Sequence, residues 1–143
     1  MTLMPKNKGF TLVELLIVVA IIAILTGMLT VNLADARERA RDAQRKADLK
    51  QIQNALELYK NDQNPQSYPQ TDSWKNALTT NGFMKKIPSD PTHDQVASWP
   101  DISYTRNDVL EYDLVVCLEN AADVDKDDTN TCTSGYSYSL TEP

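Results

Sequence analysis

The sequence is poor in the side chains from which small catalytic and metal centres are built. It has one histidine, His93, and two cysteines, Cys117 and Cys132, in 143 residues. A Cys/His metal site or a Cys–His catalytic pair has little material to draw on. No G-x-S-x-G, H-E-x-x-H, P-loop or C-x-x-C pattern occurs, so the common hydrolytic, nucleotide and dithiol chemistries leave no mark on the chain. Basic residues are scarce in the second part. Residues 87–143 carry 12 acids against Arg106 and Lys126, whereas residues 1–86 carry 8 acids against 12 bases. An acidic C-terminal region argues against direct binding to nucleic acid, whose phosphates require a basic surface. Proline is absent between Phe10 and Asn64, and glycine occurs there only as Gly27. Nothing in that stretch stops a helix.

What is present begins with an apolar block. Leu15 to Ala34 are 20 consecutive residues without a charged side chain, and as a helix they span about 30 Å, the thickness of a bilayer's hydrocarbon core. The run Leu15 to Leu25 is apolar on every face, unlike a globular helix with its polar stripe. One reading is a removable secretory signal, with Lys6 and Lys8 before it and Ala34-Asp35-Ala36 as a cleavage site. Another is an ordinary single-span anchor. Glu14 fits neither well. Burying its carboxylate costs about 2.5–3.5 kcal/mol on insertion scales, and it calls for a cation at the same depth. A chain cut just before Phe10 would supply one as an α-ammonium group. Between staggered chains, the pairing of that amine with Glu14 sets helix-to-helix register.

The order Lys8-Gly9-Phe10-Thr11-Leu12-Val13-Glu14-Leu15-Leu16-Ile17-Val18-Val19 resembles the signature of type IV pilins and type II secretion pseudopilins. Ala55 to Lys60, Tyr68-Pro69 and Ile87-Pro88-Ser89-Asp90-Pro91 are similar to the order found in major pseudopilins. The resemblance implies a leader ending at Gly9, cleavage by a prepilin peptidase between Gly9 and Phe10, and N-methylation of Phe10. It further implies self-assembly into a filament, with an assembly ATPase, a platform membrane protein and minor pilins as partners. It also implies residence in the inner membrane, N terminus in the cytoplasm, before transfer to a periplasmic or extracellular filament. Charge counting points the other way. Arg37, Arg39, Arg41, Arg45, Lys46 and Lys50 follow the span and outnumber Lys6 and Lys8 before it; the cleavage motif is taken as decisive.

The expected fold is α+β: a long N-terminal helix, half transmembrane and half amphipathic, packed on a small C-terminal antiparallel sheet, the pilin-like lollipop. Boundaries fall at 1–9 (leader), 10–34 (membrane and filament core), 35–62 (amphipathic helix) and 63–143 (head). The helix is expected from Phe10 to about Asp62. Its exposed half carries an alanine stripe (Ala36, Ala40, Ala43, Ala47) and a large apolar stripe (Leu49, Ile52, Leu56, Tyr59). These are either one drifting face, or two contacts with the large side chains under the sheet. Charges between Asp35 and Lys50 read mainly as solvated surface. Five prolines from Pro65 to Pro100 mark loop, with a short helix from Ser73 to about Thr80. Strands are expected at Ile102–Arg106, Tyr112–Glu119 and Tyr136–Leu140, the second alternating Tyr112, Leu114, Val116 and Leu118 against a wetter face.

Cys117 and Cys132 are either two buried thiols or, outside the cytoplasm, a bridge worth about 3 kcal/mol in the loop-entropy account. The loop between them holds Asp123, Asp125, Asp127 and Asp128. Its D-x-D-x-D start lacks the glycine and closing glutamate of an EF-hand. Calcium binding near the C-terminal strands is a pseudopilin trait, so these aspartates are the candidate calcium ligands beside the simpler reading of a solvated acidic loop. The functional expectation is a structural subunit and not an enzyme. The alternatives are a membrane-anchored binding module that never polymerises, and a small enzyme released after Ala36.

Overall fold

The computed structural model describes residues 9–93, 95, 96 and 98–143, the side chains of 29–32 excepted. Positions 1–8 with Lys6 and Lys8, the side chains of Val31 and Asn32, and Asp94 lie outside the described residues. Five elements follow in order: α1 (Leu12–Asp62), α2 (Trp74–Thr80), β1 (Ser103–Asp108), β2 (Glu111–Leu118) and β3 (Tyr136–Thr141). The architecture is α+β, a long N-terminal helix packed on a three-stranded antiparallel sheet of order β1-β2-β3. The chain divides into two compact units after Ala36.

In the first unit every described side chain from Gly9 to Met28 and from Leu33 to Ala36 is exposed. Phe10 is 85% exposed and Leu12 78%. No single helix among the described residues is long and apolar enough to cross a membrane; the stretches Leu12–Met28 and Leu33–Asp62 meet that condition only together.

The second unit has an ordinary core. Leu49, Ile52 and Leu56 of α1 are fully buried, and their +3, +4 spacing places them on one face. They pack with Tyr112, Leu114, Val116 and Leu118 of β2, the alternate residues that a half-buried strand directs inward. Cys117 is also buried, at 5%, although it stands on the expected wet face, because it is joined to Cys132. The alanine stripe stays exposed, so the two stripes are distinct. Tyr68 stacks edge-on to Tyr112 at 4.6 Å, and the Tyr104 hydroxyl donates to the Pro69 carbonyl at 2.8 Å. These contacts fasten the proline-rich loop to the sheet.

Gly135, just before β3, has φ +84°, and a Cβ there would lie 2.3 Å from the Leu118 carbonyl oxygen and 2.9 Å from the Trp99 ring. Gly82 has φ +78° but open space around it. Gly135→Ala is therefore expected to cost about 2 kcal/mol or more and Gly82→Ala about 1 kcal/mol. The difference is read from urea unfolding midpoints of the two chains.

Candidate functional site

The N-terminal site is built at the first turn of α1. Thr11 precedes the helix and Glu14 stands three residues on, the spacing of a capping box. The Thr11 amide and hydroxyl each donate to Glu14 Oε2 at 2.8 Å, and the Glu14 amide donates back to the Thr11 hydroxyl at 3.3 Å. One carboxylate oxygen thus has local partners. The apolar block alone points to a terminal ammonium as the partner of Glu14, whereas the T-x-x-E spacing supplies a second, local one. Capping nevertheless leaves the charge in place, and Oε1 accepts no hydrogen bond among the described residues.

The second site lies where α1 meets the head. Asp42 and Arg45 continue the Leu49, Ile52, Leu56 stripe backward at the same +3, +4 spacing, and both are 1% exposed. All five guanidinium donors of Arg45 are used. Nε and Nη2 grip Asp90 at 2.6 and 3.0 Å. Nη1 reaches Asp42 at 2.7 Å and Glu119 at 2.8 Å. Nη2 also donates to the Thr92 hydroxyl at 2.6 Å, and the Trp99 ring lies 5.0 Å from the guanidinium carbon.

The excess negative charge is answered by backbone. Asp42 accepts the amides of Glu119 and Asn120 at 2.9 and 2.8 Å, and Asp90 accepts that of Thr92 at 2.7 Å. Arg41 completes the cluster by pairing with Glu119. The hydrogen bond from Arg41 leads the effects on Glu119; with those from Arg45 and Thr92 it outweighs burial and brings the carboxyl down to about 2. Burial works against the Arg45 charge, but Asp90, Glu119 and Asp42 together raise its pKa. Helix charges expected to be solvated thus hold the Pro88–Thr92 loop and the end of β2 against α1.

Lys46 extends the clamp to the acidic loop. Its ammonium pairs with Asp123 and, at 2.7 Å, with Asp125, and lies 5.5 Å from the Tyr138 ring centre. Asp127 accepts the Ser139 hydroxyl at 3.0 Å, and Asp128 is exposed. Asp123 and Asp125 thus share Lys46 while Asp127 turns to Ser139, and among the described residues no group of three or more such side chains is placed to hold a metal ion. In this arrangement the donor set does not fit a calcium cage. Lys46→Met is expected to remove about 1 kcal/mol, lowering the head's melting temperature by about 4–8 °C.

His93 sits in the turn after Thr92, half-buried; its Nδ1 lies 2.5 Å from the Trp99 carbonyl oxygen and its amide donates to Asp90 at 3.3 Å. Residues 4–30 match the family model described as the prokaryotic N-terminal methylation motif. The type II secretion system core protein G of Vibrio cholerae is 35% identical over 100 residues, covering 62% of this chain and 67% of that protein. The corresponding protein of Aeromonas hydrophila is 31% identical over 99 residues, with 60% and 68% covered.

The chain belongs to the type IV pilin and type II secretion pseudopilin family. Both branches are represented, since the type IV wide pilus major component PilA4 of Thermus thermophilus is 42% identical over 95 residues, covering 66% of this chain and 68% of that one. No solved structure matches. Within this pilin-like chain the matched motif contains Gly9, Phe10 and Glu14. Asp90, part of the Ile87–Pro91 signature, is the buried anchor of Arg45.

Proposed function

We propose that this pilin-like subunit is cut between Gly9 and Phe10 by a prepilin peptidase and methylated on the new Phe10 amine. It is held in the cytoplasmic membrane by residues 10–34, N terminus inside, and drawn from there into a helical filament. The observation that carries this reading is the exposed stretch at the start of α1, apolar from Leu15 to Leu25 on every face, with Glu14 the one charged residue between positions 10 and 34. An apolar surface of that extent requires cover. Lipid supplies it before assembly, and neighbouring copies supply it afterwards.

The role is structural, and the methylation motif and the pilin and pseudopilin relatives support it. An assembly ATPase, a platform membrane protein and minor pilins are the expected partners. The test is microscopy of the sheared surface fraction from cells making the full chain, with and without prepilin peptidase activity. Filaments containing this chain are expected only with the peptidase. A processed chain that remains a membrane monomer contradicts the proposal and favours a non-polymerising anchored module.

A further inference from the structure

Val124 is 94% exposed, and among the large apolar side chains of residues 37–143 the next is Leu58 at 57%. Val124 is not on a free tail. Its neighbours Asp123 and Asp125 are both held by Lys46, so the valine is pinned in water, where an apolar group gains nothing. Leu58 lies in a groove of about 410 Å³ with Ala55, Phe83 and Met84, edged by Lys85 and Lys86. Both lysines are exposed, and neither forms an ion pair among the described residues.

The two features are both apolar and match in the sign of the charges around them. Residues 123–128 hold four aspartates against Lys126, and Lys46 balances only one further charge. Lys46 and Leu58 are twelve residues apart on α1, about 120° around the helix and 18 Å along it. One copy therefore presents the valine on one side and the groove on another.

We propose that Val124 of one copy seats in the Leu58–Phe83–Met84 groove of a second copy, its acidic loop facing Lys85 and Lys86. The contact joins two different patches, so it is heterologous and does not close a two-fold dimer; in a filament built on the apolar helices it repeats from one head to the next. It rests on the filament reading above and gives it a head-to-head register. A contact this small lies well below a self-sufficient interface; the apolar helices supply most of the filament's cohesion, and the loop adds the remainder while fixing how successive heads are turned.

The test uses filaments of the full chain carrying both Val124→Cys and Leu58→Cys. The native cysteines are joined and no other thiol is present, so a short bismaleimide reports only the introduced pair. A ladder of linked subunits is expected, with none from either single variant and none when Asn107→Cys replaces Leu58→Cys. Lys85→Glu with Lys86→Glu is expected to lower the ladder about tenfold. A second variant, Val124→Asp, is expected to keep the head's melting temperature and lower filament yield about tenfold. Filaments that give no ladder, an equal ladder with Asn107→Cys, a link to another polypeptide, or full yield from Val124→Asp each overturn the docking and leave the subunit reading standing. Failure of the native chain to form any filament overturns both.

Discussion

Arg45→Met is expected to destabilise the head by about 3–5 kcal/mol, the cost of leaving buried carboxylates without their cation. Domains of this size are typically stable by about 5–15 kcal/mol, so the variant is expected to lose a large part of its folded population. The magnitude follows from burial. The Arg45 side chain is 1% exposed and that of Asp90 is fully buried; water cannot replace the lost guanidinium. Arg39→Met, at an exposed position on the same helix, is expected to change stability by less than about 0.5 kcal/mol. Urea unfolding of the detergent-solubilised full chain, followed by tyrosine and tryptophan fluorescence, gives both values.

The same cluster sets an acid limit. The unfolded chain protonates Glu119 near the ordinary glutamate value of 4.5, whereas the folded chain keeps it ionised to about 2. Across that interval the unfolded state binds the extra proton. The Glu119 contribution is therefore complete above about pH 4.5 and is lost as pH falls toward 2. Arg41→Ala, which removes the leading hydrogen bond to Glu119, is expected to flatten that part of the stability profile.

Glu14→Ala is expected to leave cleavage intact and lower filament yield at least about tenfold, since each apolar contact loses its charge pairing. Glu14→Gln separates the cap that Glu14 forms with Thr11 from the charge pairing proposed for assembly. Glutamine retains an acceptor for the Thr11 amide and hydroxyl, so the helix cap survives, but it carries no charge to meet a neighbouring terminus. If register depends on charge, Gln fails like Ala; if the carboxylate serves only as a cap, Gln assembles normally. Filament yield from the three chains, beside the processed fraction of each, distinguishes these outcomes.

Much of the architecture was legible because it follows from backbone rules. A stretch from Phe10 to Asn64 without proline reads as helix, and it forms one from Leu12 to Asp62. The alternation of Tyr112, Leu114, Val116 and Leu118 reads as a half-buried strand, and all four are buried. The charged clamp was not legible, for a physical reason. Asp42 and Arg45 occupy core-facing positions of the helix, but periodicity is usually read from apolar residues alone, and charges are usually outside. Only their partners in distant loops, Asp90 and Glu119, make burial tolerable, and a local pattern does not contain those partners. Had the Leu49–Ile52–Leu56 stripe been extended backward irrespective of polarity, both residues would have fallen on it. Glu14 gives the opposite lesson. Its local partner is written in the Thr11–Glu14 spacing itself.

The central claim is that the functional chain begins at Phe10 with a methylated amine close to a carboxylate at Glu14. Intact-mass measurement of the protein taken from native filaments or membranes tests this most directly. The predicted result is a chain lacking the first nine residues of the sequence, carrying one added methyl group and an intact Cys117–Cys132 bridge. A mass that retains Met1 contradicts the claim, and so does a chain beginning at Arg37.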